Sequence, residues 1–314
     1  MHTCVIQQER PIISNYVDGQ WIGGRGTETL AVINPATGEE LGQSPLSSRT
    51  DLDAAVQAAA RAYRDWRRVP VVERVQFLFK LKALLEEHLD ELAATITREC
   101  GKTVGESRGE LRRAIENVEV ACGTLILVQG YNSEDIAAGI DEIMIRQPLG
   151  VCAIITPFNF PGMIPFWFLP YAIACGNTMV VKPSEKVPLT MQLRVQLIER
   201  TGLPPNVVNV VNGGHEVVDA ILDHPQVQAV SFVGSSAVAR HVHARAAASG
   251  KRVQCQGGAK NLVVVLSDAD LESAAEIVAD SAFGCAGQRC LASSLAITVG
   301  EIGRPFADAI ADKA

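Results

Sequence analysis

Cys290 is the residue of this 314-residue chain whose surroundings best suit covalent chemistry. It ends the segment Ser281-Ala-Phe-Gly-Cys-Ala-Gly-Gln-Arg-Cys290, in which glycines follow an apolar helical run and an arginine precedes the cysteine. The thiolate is the nucleophilic form of cysteine, and a neighbouring cation or helix end favours that form. A lone cysteine is more often a small buried hydrophobic residue. The segment therefore predicts a nucleophile only when other parts of the chain support it.

A stiff loop offers a second reactive feature. Thr156-Pro-Phe-Asn-Phe-Pro161 follows a predicted strand and holds Asn159 between two prolines. A fixed side-chain amide can donate a hydrogen bond to an oxyanion. The ordinary alternative is an asparagine that makes a local turn bond.

Two further segments suit a dinucleotide. Lys182-Pro-Ser-Glu185 combines a lysine with a carboxylate. A carboxylate that accepts a hydrogen bond from the ribose 2′-hydroxyl favours NAD over its 2′-phosphorylated relative. Phe232-Val-Gly-Ser-Ser236 opens a predicted helix, where Gly234 permits close backbone approach and Ser235 with the helix N-terminus suits a pyrophosphate. This second segment is not a GxGxxG fingerprint.

The elements that must position these residues alternate between strand and helix from Gly150 onward. Predicted strands span 151–155, 178–181, 207–211, 229–233 and 262–265, and predicted helices span 189–200, 216–223, 237–248 and 271–283. Continuous apolar strands that alternate with helices imply a parallel sheet covered on both faces. Ligands of such sheets bind beyond the C-terminal strand ends, where the motifs lie.

The N-terminal part is predicted to begin with a hairpin over 15–21 that turns at Asp18-Gly19, followed by a turn over 33–39. Four helices are predicted over 51–66, 72–87, 89–100 and 106–122, the first capped by Thr50 or Asp51. Residues 123–148 are interpreted as two extended pieces. They form either a projecting arm that contacts another subunit or an ordinary surface hairpin.

Composition narrows the class of protein. The net charge is −7 without a basic stripe, which argues against nucleic acid as a partner. No apolar run reaches the roughly 18 residues of a membrane span, and the start of the chain lacks a secretory pattern. The 8 cysteines are scattered without a CxxC pair, so neither a metal site nor a disulfide framework is predicted. A cytoplasmic enzyme acting on a small molecule fits these features.

In combination, four segments resemble the aldehyde dehydrogenase superfamily over the chain from about Pro11. They are Pro157-Phe-Asn-Phe-Pro161, Lys182-Pro-Ser-Glu185, Phe232-Val-Gly-Ser235 and Gly287-Gln-Arg-Cys290. The resemblance implies an α/β fold with a doubly wound, Rossmann-like parallel sheet, a catalytic α/β domain and a projecting β-hairpin arm. It implies NAD binding by residues 11–122 and 149–257, oligomerisation through 123–148, and the start of a catalytic domain at 258–314.

The resemblance also implies roles for individual residues. Cys290 would attack the aldehyde, and Asn159 with the Cys290 backbone N–H would hold the oxyanion. Lys182 and Glu185 would hold the adenosine ribose, and Ser235 the pyrophosphate. The implied cofactor-binding set comprises Thr156, Phe158, Lys182, Ser184, Glu185, Gly234 and Ser235.

Within the superfamily, the segments 156–161, 258–261 and 283–290 are most similar to CoA-acylating methylmalonate/malonate-semialdehyde dehydrogenases. That similarity implies a semialdehyde substrate, CoA as co-substrate, and Arg113 and Arg289 as the arginines that bind the substrate carboxylate. Full-length members of the group are homo-oligomers, with a tetramer expected. Members also continue well beyond Ala314, so we expect a C-terminally truncated catalytic domain with an exposed apolar face.

One position separates two reactions. Hydrolytic aldehyde dehydrogenases have a glutamate base where this chain has Gln256. Oxidation leaves a thioester on Cys290, and water needs a base to cleave it, which a carboxamide cannot be at neutral pH. A thiol such as CoA is partly thiolate already. Gln256 therefore favours transfer to CoA. The alternatives are a hydrolytic enzyme that activates water otherwise, and an inactive fragment that binds NAD.

Overall fold

The computed structural model describes residues 13–26 and 28–314, so the predicted start of the resemblance at Pro11 lies outside the described residues. The chain divides into two compact units. The first runs to Val233 and takes in Ala239–Cys255, and the second comprises Gly234–Val238 and Gln256–Ala314. The domain boundaries implied by the resemblance stay a prediction.

The N-terminal half holds four short strands, five helices and a strand pair. These elements are β1 Asn15–Val17, β2 Gln20–Ile22, β3 Thr29–Ile33, β4 Glu40–Pro45, α1 Arg49–Trp66, α2 Val71–Glu87, α3 Leu89–Cys100, α4 Val104–Cys122, α5 Thr124–Leu127, β5 Tyr131–Ala137 and β6 Ile140–Met144.

The rest of the chain alternates between strand and helix. Its elements are β7 Val151–Ile155, α6 Leu169–Ala174, β8 Thr178–Lys182, α7 Leu189–Arg200, β9 Val208–Val210, α8 His215–Asp223, β10 Val227–Val233, α9 Ser236–Ala248, β11 Arg252–Gln256, β12 Asn261–Val265, α10 Leu271–Phe283, β13 Ser293–Thr298 and α11 Gly303–Lys313. Short 3₁₀ turns occupy Ile164–Trp167, Gly284–Gly287 and Gly300–Ile302.

A seven-stranded sheet in the order β11–β10–β7–β8–β9–β1–β2 organises the first unit. The pairs β10–β7, β7–β8 and β8–β9 are parallel, and β1 joins β9 and β2 antiparallel. All five residues of β7 and of β8 are buried, as expected of strands covered on both faces. The predicted α/β class and parallel sheet are confirmed.

Two local predictions are corrected. Helix α1 starts earlier than predicted because Ser48 is its cap: Ser48 Oγ accepts from the Asp51 N–H, and the Asp51 side chain bonds back to the Ser48 backbone. Residues 124–127, predicted to be extended, are the helix α5. Thr124 is buried there and its Oγ1 donates to the Ala121 carbonyl at 2.6 Å, which continues the path of α4.

The strands β5 and β6 pair antiparallel within the segment predicted to form an arm. All of their residues are exposed, including Ile136, Ile140 and Ile143. Two strands alone are marginally stable in water, so apolar side chains displayed on such a pair suit contact with another surface. The oligomerisation role stays a prediction.

Several charged side chains are buried between α3, α4 and α7. Glu99, on α3, accepts the backbone N–H groups of Leu189 and Thr190 at the start of α7, and burial raises its pKa to about 7. Arg194, on α7, stacks with its guanidinium 4.0 Å from the centre of the Phe166 ring, and burial lowers its pKa to about 9. These contacts join α3 to the start of α7, and α7 to the 3₁₀ turn at Ile164–Trp167.

The second unit is a small layer of two parallel strands, β12 and β13, with α10 and α11. Its core consists of Val265, Ala275, Val278 and Phe306. Many of its other apolar side chains are exposed: Leu262, Val264, Leu266, Ile277, Phe283, Leu291, Leu295, Ile297 and Val299. The second unit thus exposes many apolar side chains, and their belonging to one continuous face stays a prediction. Across residues 13–26 and 28–314, no helix has the length and apolarity needed to cross a membrane.

Candidate active site

The approach to Cys290 is a tight turn in the second unit. Helix α10 ends at Phe283, and the next residues include Cys285, Ala286 and Gly287 with φ values of 54°, 52° and 72°. Non-glycine residues adopt this left-handed conformation at a cost of about 1–3 kcal/mol each. The turn redirects the chain from α10 towards β13 and leaves Cys290 half-buried between the two elements.

The backbone around Cys290 is fixed by side chains of neighbouring elements. Asn261, the first residue of β12, donates from Nδ2 to the carbonyl oxygens of Cys290 at 2.8 Å and Ala292 at 3.1 Å. Ser281 Oγ accepts from the Ser293 N–H at 3.1 Å. The sequence analysis predicts no role for Asn261, which belongs to the segment 258–261 that carries the resemblance. An amide side chain at the start of a strand, directly before an apolar run, is the signal that identifies it.

We predict that Asn261→Leu lowers the rate at which Cys290 reacts with aldehyde by about ten- to a hundredfold, because small displacements of a reacting group have effects of this size. The substitution removes both hydrogen bonds to the Cys290 segment. Stopped-flow measurement of NADH formation checks the rate. Gln76→Leu is the control, since its Nε2 donates to the Val72 carbonyl on the exposed face of α2. An unchanged rate in Asn261→Leu would contradict a positioning role.

Arg289 lies against the turn that precedes it. A Cβ added at Gly284 would be 2.3 Å from Arg289 Nη2 and 2.4 Å from its Cζ. Glycine at position 284 thus makes room for the guanidinium. Arg113 belongs to the first unit, where it lies on the exposed side of α4 and its Nη1 pairs with Glu116 Oε2 at 2.8 Å. Exposed pairs contribute about 0.2–1 kcal/mol, so a carboxylate ligand could displace Glu116 at small cost.

Gln256 lies at the end of β11, and its backbone is hydrogen-bonded to Gly234, one of the residues predicted to bind pyrophosphate. Its carbonyl accepts from the Gly234 N–H at 3.0 Å, and the Gly258 N–H donates to Ser236 Oγ at 3.1 Å. A Cβ at Gly257 would be 2.9 Å from Ser236 Oγ. The segment 256–258 is therefore closely fitted to the start of α9, while the Gln256 side chain is exposed.

Ser235 is exposed immediately before α9, and its Oγ accepts from the Val238 N–H at 3.4 Å. This contact caps the helix. The hydroxyl hydrogen remains available as a donor, because a serine hydroxyl both accepts and donates. An anion at this helix start would meet that donor and the favourable end of the helix dipole.

The remaining predicted cofactor residues lie in the first unit, at the C-terminal ends of β7 and β8. The Thr156 N–H donates to the Lys182 carbonyl at 3.1 Å, so the two motifs are adjacent. Lys182 is buried and its Nζ contacts Glu185 Oε2 at 2.8 Å. Burial alone would raise the pKa of Glu185, but the charge and hydrogen bond of Lys182 outweigh it and hold that pKa below its usual value. The two motifs thus bring a carboxylate and an ammonium group together at these strand ends, and their role towards a ribose stays a prediction.

Ser184, Phe158 and Asn159 complete the set. Ser184 is buried and its Oγ accepts from the Lys186 N–H at 3.3 Å, so it shapes the turn. Phe158 is 40% exposed, with Lys186 Nζ 5.3 Å from its ring centre. Asn159 is half-buried in the first unit, whereas Cys290 belongs to the second. Their shared role at an oxyanion stays a prediction. The part of the chain that the structure describes holds no cluster of three or more His, Cys, Asp or Glu side chains suited to a metal.

Comparison with known proteins identifies similar chains. Malonate-semialdehyde dehydrogenase 1 of Geobacillus kaustophilus is 50% identical over 297 residues, which are 95% of this chain and 61% of that protein. Malonate-semialdehyde dehydrogenase 3 of the same organism is 51% identical over 294 residues. The chain spans about three-fifths of the length of these curated relatives.

Solved structures give the same picture. A protein from Sinorhizobium meliloti assigned as methylmalonate-semialdehyde dehydrogenase, in complex with NAD, superposes with a TM-score of 0.95 and 42% identity, over 98% of this chain and 62% of that one. The methylmalonate-semialdehyde dehydrogenase of Oceanimonas doudoroffii superposes with a TM-score of 0.94 and 44% identity, over 96% of this chain and 62% of that one. The model of the aldehyde dehydrogenase family matches residues 21–314. The predicted resemblance is therefore confirmed, and the chain belongs to the aldehyde dehydrogenase family.

Proposed function

We propose that this chain supports NAD-dependent, CoA-acylating oxidation of malonate or methylmalonate semialdehyde, giving acetyl-CoA or propionyl-CoA and CO2. One observation carries the choice of acyl acceptor. The stretches 251–267 and 281–300, which hold Gln256 and Cys290, contain no aspartate or glutamate. The segments that hold Gln256 and Cys290 thus offer a carboxamide, and no carboxylate, as a candidate base for the thioester.

The first half of the reaction forms that thioester. The Cys290 thiolate adds to the aldehyde carbon, and the carbonyl oxygen takes up negative charge. The Asn159 amide and the Cys290 N–H donate to this oxyanion, and such preorganised donors act on the charge that develops in the transition state. NAD, when bound, supplies the acceptor for the hydride that leaves the adduct carbon. Lys182 and Glu185 would hold its ribose, and Gly234 and Ser235 its pyrophosphate. Thr156, Phe158 and Ser184 would shape the ribose site.

The second half removes the acyl group. The substrate carboxylate, oriented by Arg113 and Arg289, is β to the thioester carbonyl, so its carbon leaves as CO2 while the carbonyl accepts the electron pair and the methylene carbon then takes a proton. The CoA thiolate next attacks the thioester carbon, and Cys290 leaves as thiolate. Gln256 cannot take a proton from water, so hydrolysis lacks a base.

We predict that Glu185→Gln weakens NAD binding by about tenfold, the effect of losing one charged hydrogen-bond partner. It should narrow the preference for NAD over NADP, because a carboxylate accepts from a 2′-hydroxyl and repels a 2′-phosphate. Calorimetric titration of both dinucleotides checks this. Glu73→Gln, on the exposed face of α2, is the control. Equal affinities for NAD in Glu185→Gln and the unaltered chain would refute the role.

Absorbance of NADH tests the proposed function. Chain 1–314 is mixed with NAD and malonate semialdehyde, with and without CoA. Turnover that requires CoA is the expected result, whereas equal turnover without CoA would support a hydrolytic enzyme. NAD binding without turnover would support a second candidate, a non-catalytic NAD-binding chain, which the exposed apolar residues of the second unit favour.

Two other proposals concern the setting of the enzyme. We propose that copies of the chain associate through the strand pair within residues 123–148, as a tetramer like the one expected of full-length relatives. We also propose that the protein works in the cytoplasm. Exposed apolar side chains on β5 and β6 support association through this strand pair. The 8 scattered cysteines, which predict no disulfide framework, support the cytoplasm. Light scattering of the chain with Ile140→Lys and Ile143→Lys, which should reduce association, tests the contact.

A further inference from the structure

The loop that carries Asn159 is anchored by two buried charged residues of the helical layer. Glu110, on α4, accepts the backbone N–H groups of Gly162 and Met163 on Oε1, at 2.6 and 2.9 Å. Lys102, just before α4, contacts Glu110 Oε2 through Nζ. The side chains of this pair are 1% and 0% exposed. The loop therefore donates two hydrogen bonds to a carboxylate that lies 52 residues before Gly162 in the chain.

The same pair also packs against the loop. Lys102 Nζ lies 3.7 Å from the centre of the Phe160 ring, next to Asn159 in the chain. Gly162 approaches the helices so closely that an added Cβ would be 2.7 Å from Ile96 Cδ1 and 3.0 Å from Glu110 Oε1. On the other side of Asn159, Cys100 Sγ lies 3.5 Å from the Phe158 carbonyl oxygen. Residues on both sides of Asn159 are thus held by the region 96–110.

Stability alone does not account for such a pair. Burying two charges costs several kcal/mol of desolvation, and replacing a buried ion pair by apolar residues is often neutral or stabilising. What an apolar pair cannot provide is an acceptor for the two N–H groups of Gly162 and Met163. A glutamate at position 110 accepts both bonds on one oxygen, and its other oxygen contacts Lys102 Nζ.

We propose that Lys102 and Glu110 are positioning residues for the Asn159 amide, through the backbone of residues 160–163. The inference rests on the proposed function, in which Asn159 donates to the oxyanion. A donor contributes most to catalysis when its position is set before charge develops, so that no reorganisation is needed in the transition state. The pair acts through the loop and touches no reacting atom.

Two double variants separate the acceptor from the charges. Lys102→Met with Glu110→Gln removes both charges and keeps a carbonyl oxygen at the position of Glu110 Oε1. Lys102→Met with Glu110→Leu removes the charges and the acceptor together, with a similar side-chain size. Both variants eliminate the buried ion pair, so differences between them report on the hydrogen bonds to the loop.

Hydrogen exchange of the peptide over 157–168 is the first readout, because it does not depend on activity. We expect exchange at Gly162 and Met163 about tenfold faster or more in the leucine variant, and within about threefold of the unaltered chain in the glutamine variant. Equal exchange in the leucine variant and the unaltered chain would overturn the proposal. Equal acceleration in both variants would also overturn it, since the charges and not the acceptor would then hold the loop.

The single-turnover rate of NADH formation is the second readout. We expect a loss of about tenfold or more in the leucine variant with unchanged affinity for NAD, and recovery in the glutamine variant. Loss of NAD affinity in parallel would indicate a general structural role and would overturn the proposal. If the unaltered chain oxidises no aldehyde, the proposed function fails, while the exchange experiment still decides whether the pair anchors the loop.

A variant within the loop covers the case in which the leucine variant does not fold. Met163→Pro removes the Met163 N–H and leaves Lys102 and Glu110 in place, and the φ of −92° at this position must shift towards the value of about −65° that proline adopts. We expect faster exchange at Gly162 and a slower single turnover. An unchanged loop and rate in this variant would overturn the proposal as well.

Discussion

Cys290→Ala is expected to abolish aldehyde oxidation, with a fall in kcat/KM of at least about a thousandfold, as when the nucleophile of a covalent enzyme is removed. The reason is that, in the proposed mechanism, Cys290 forms the thioester from which the acyl group is transferred. NAD affinity should be unchanged, because Lys182 and Glu185, which we propose to bind the ribose, belong to the other unit of the chain. Single-turnover NADH formation and calorimetric titration measure the two effects.

Cys285→Ala is the control for this prediction. Cys285 lies in the same turn and is buried, with a left-handed backbone that the adjacent Ala286 also adopts. Alanine is therefore accommodated there, and the rate should stay within about threefold of that of the unaltered chain. If oxidation survives in Cys290→Ala and is lost in Cys285→Ala, the nucleophile is Cys285 and not Cys290.

Gln256→Glu is expected to change the acyl acceptor from CoA, the acceptor that we propose for this chain, to water. A carboxylate at this exposed position can take a proton from water, and general base catalysis contributes about a hundredfold or more to such a step. CoA-independent NADH formation should therefore rise by about that factor, and the free acid should replace acyl-CoA as the product. Chromatography of the products after complete turnover distinguishes the two.

Gln254→Glu provides the comparison on the same strand. Gln254 lies two residues earlier on β11, and its Nε2 donates to Ser231 Oγ at 3.0 Å. The Gln254→Glu variant adds the same charge to the strand without placing a base at position 256, so its turnover should still require CoA. If turnover by Gln256→Glu requires CoA as strictly as turnover by Gln254→Glu does, residue 256 does not decide between CoA and water as the acyl acceptor.

The parts of the fold that could be predicted are those with one dominant local signal. The bounds of strand β7 and of helices α7 and α10 agree with the prediction at both ends. Each is a buried apolar run or a helical apolar stripe, and a glycine marks one boundary of β7 and of α10: Gly150 precedes β7 and Gly284 follows α10. The pair β3–β4 was missed apart from the turn between its strands. Its strands are short and partly polar, and only their pairing across that turn makes them regular.

The site was predictable as a set of motifs and not as a set of contacts. Each motif follows a strand or a helix, so its chemistry is readable from neighbours in the chain. The bond from Asn261 to Cys290 joins residues 29 apart, and the bond from Gly162 to Glu110 joins residues 52 apart. No local period reports such contacts. Asn261 and Glu110 therefore emerge as positioning residues only once the chain is folded.

Mass spectrometry of the Cys290 peptide is the most direct test of the account, because it detects the thioester itself. The chain is incubated with NAD and malonate semialdehyde without CoA, digested, and analysed before and after CoA is added. We predict an acyl group on Cys290 that persists without CoA and disappears when CoA is added, with acetyl-CoA formed in equal amount. NADH formed with no acyl group on Cys290, or an acyl-cysteine that water removes as fast as CoA does, would contradict the account.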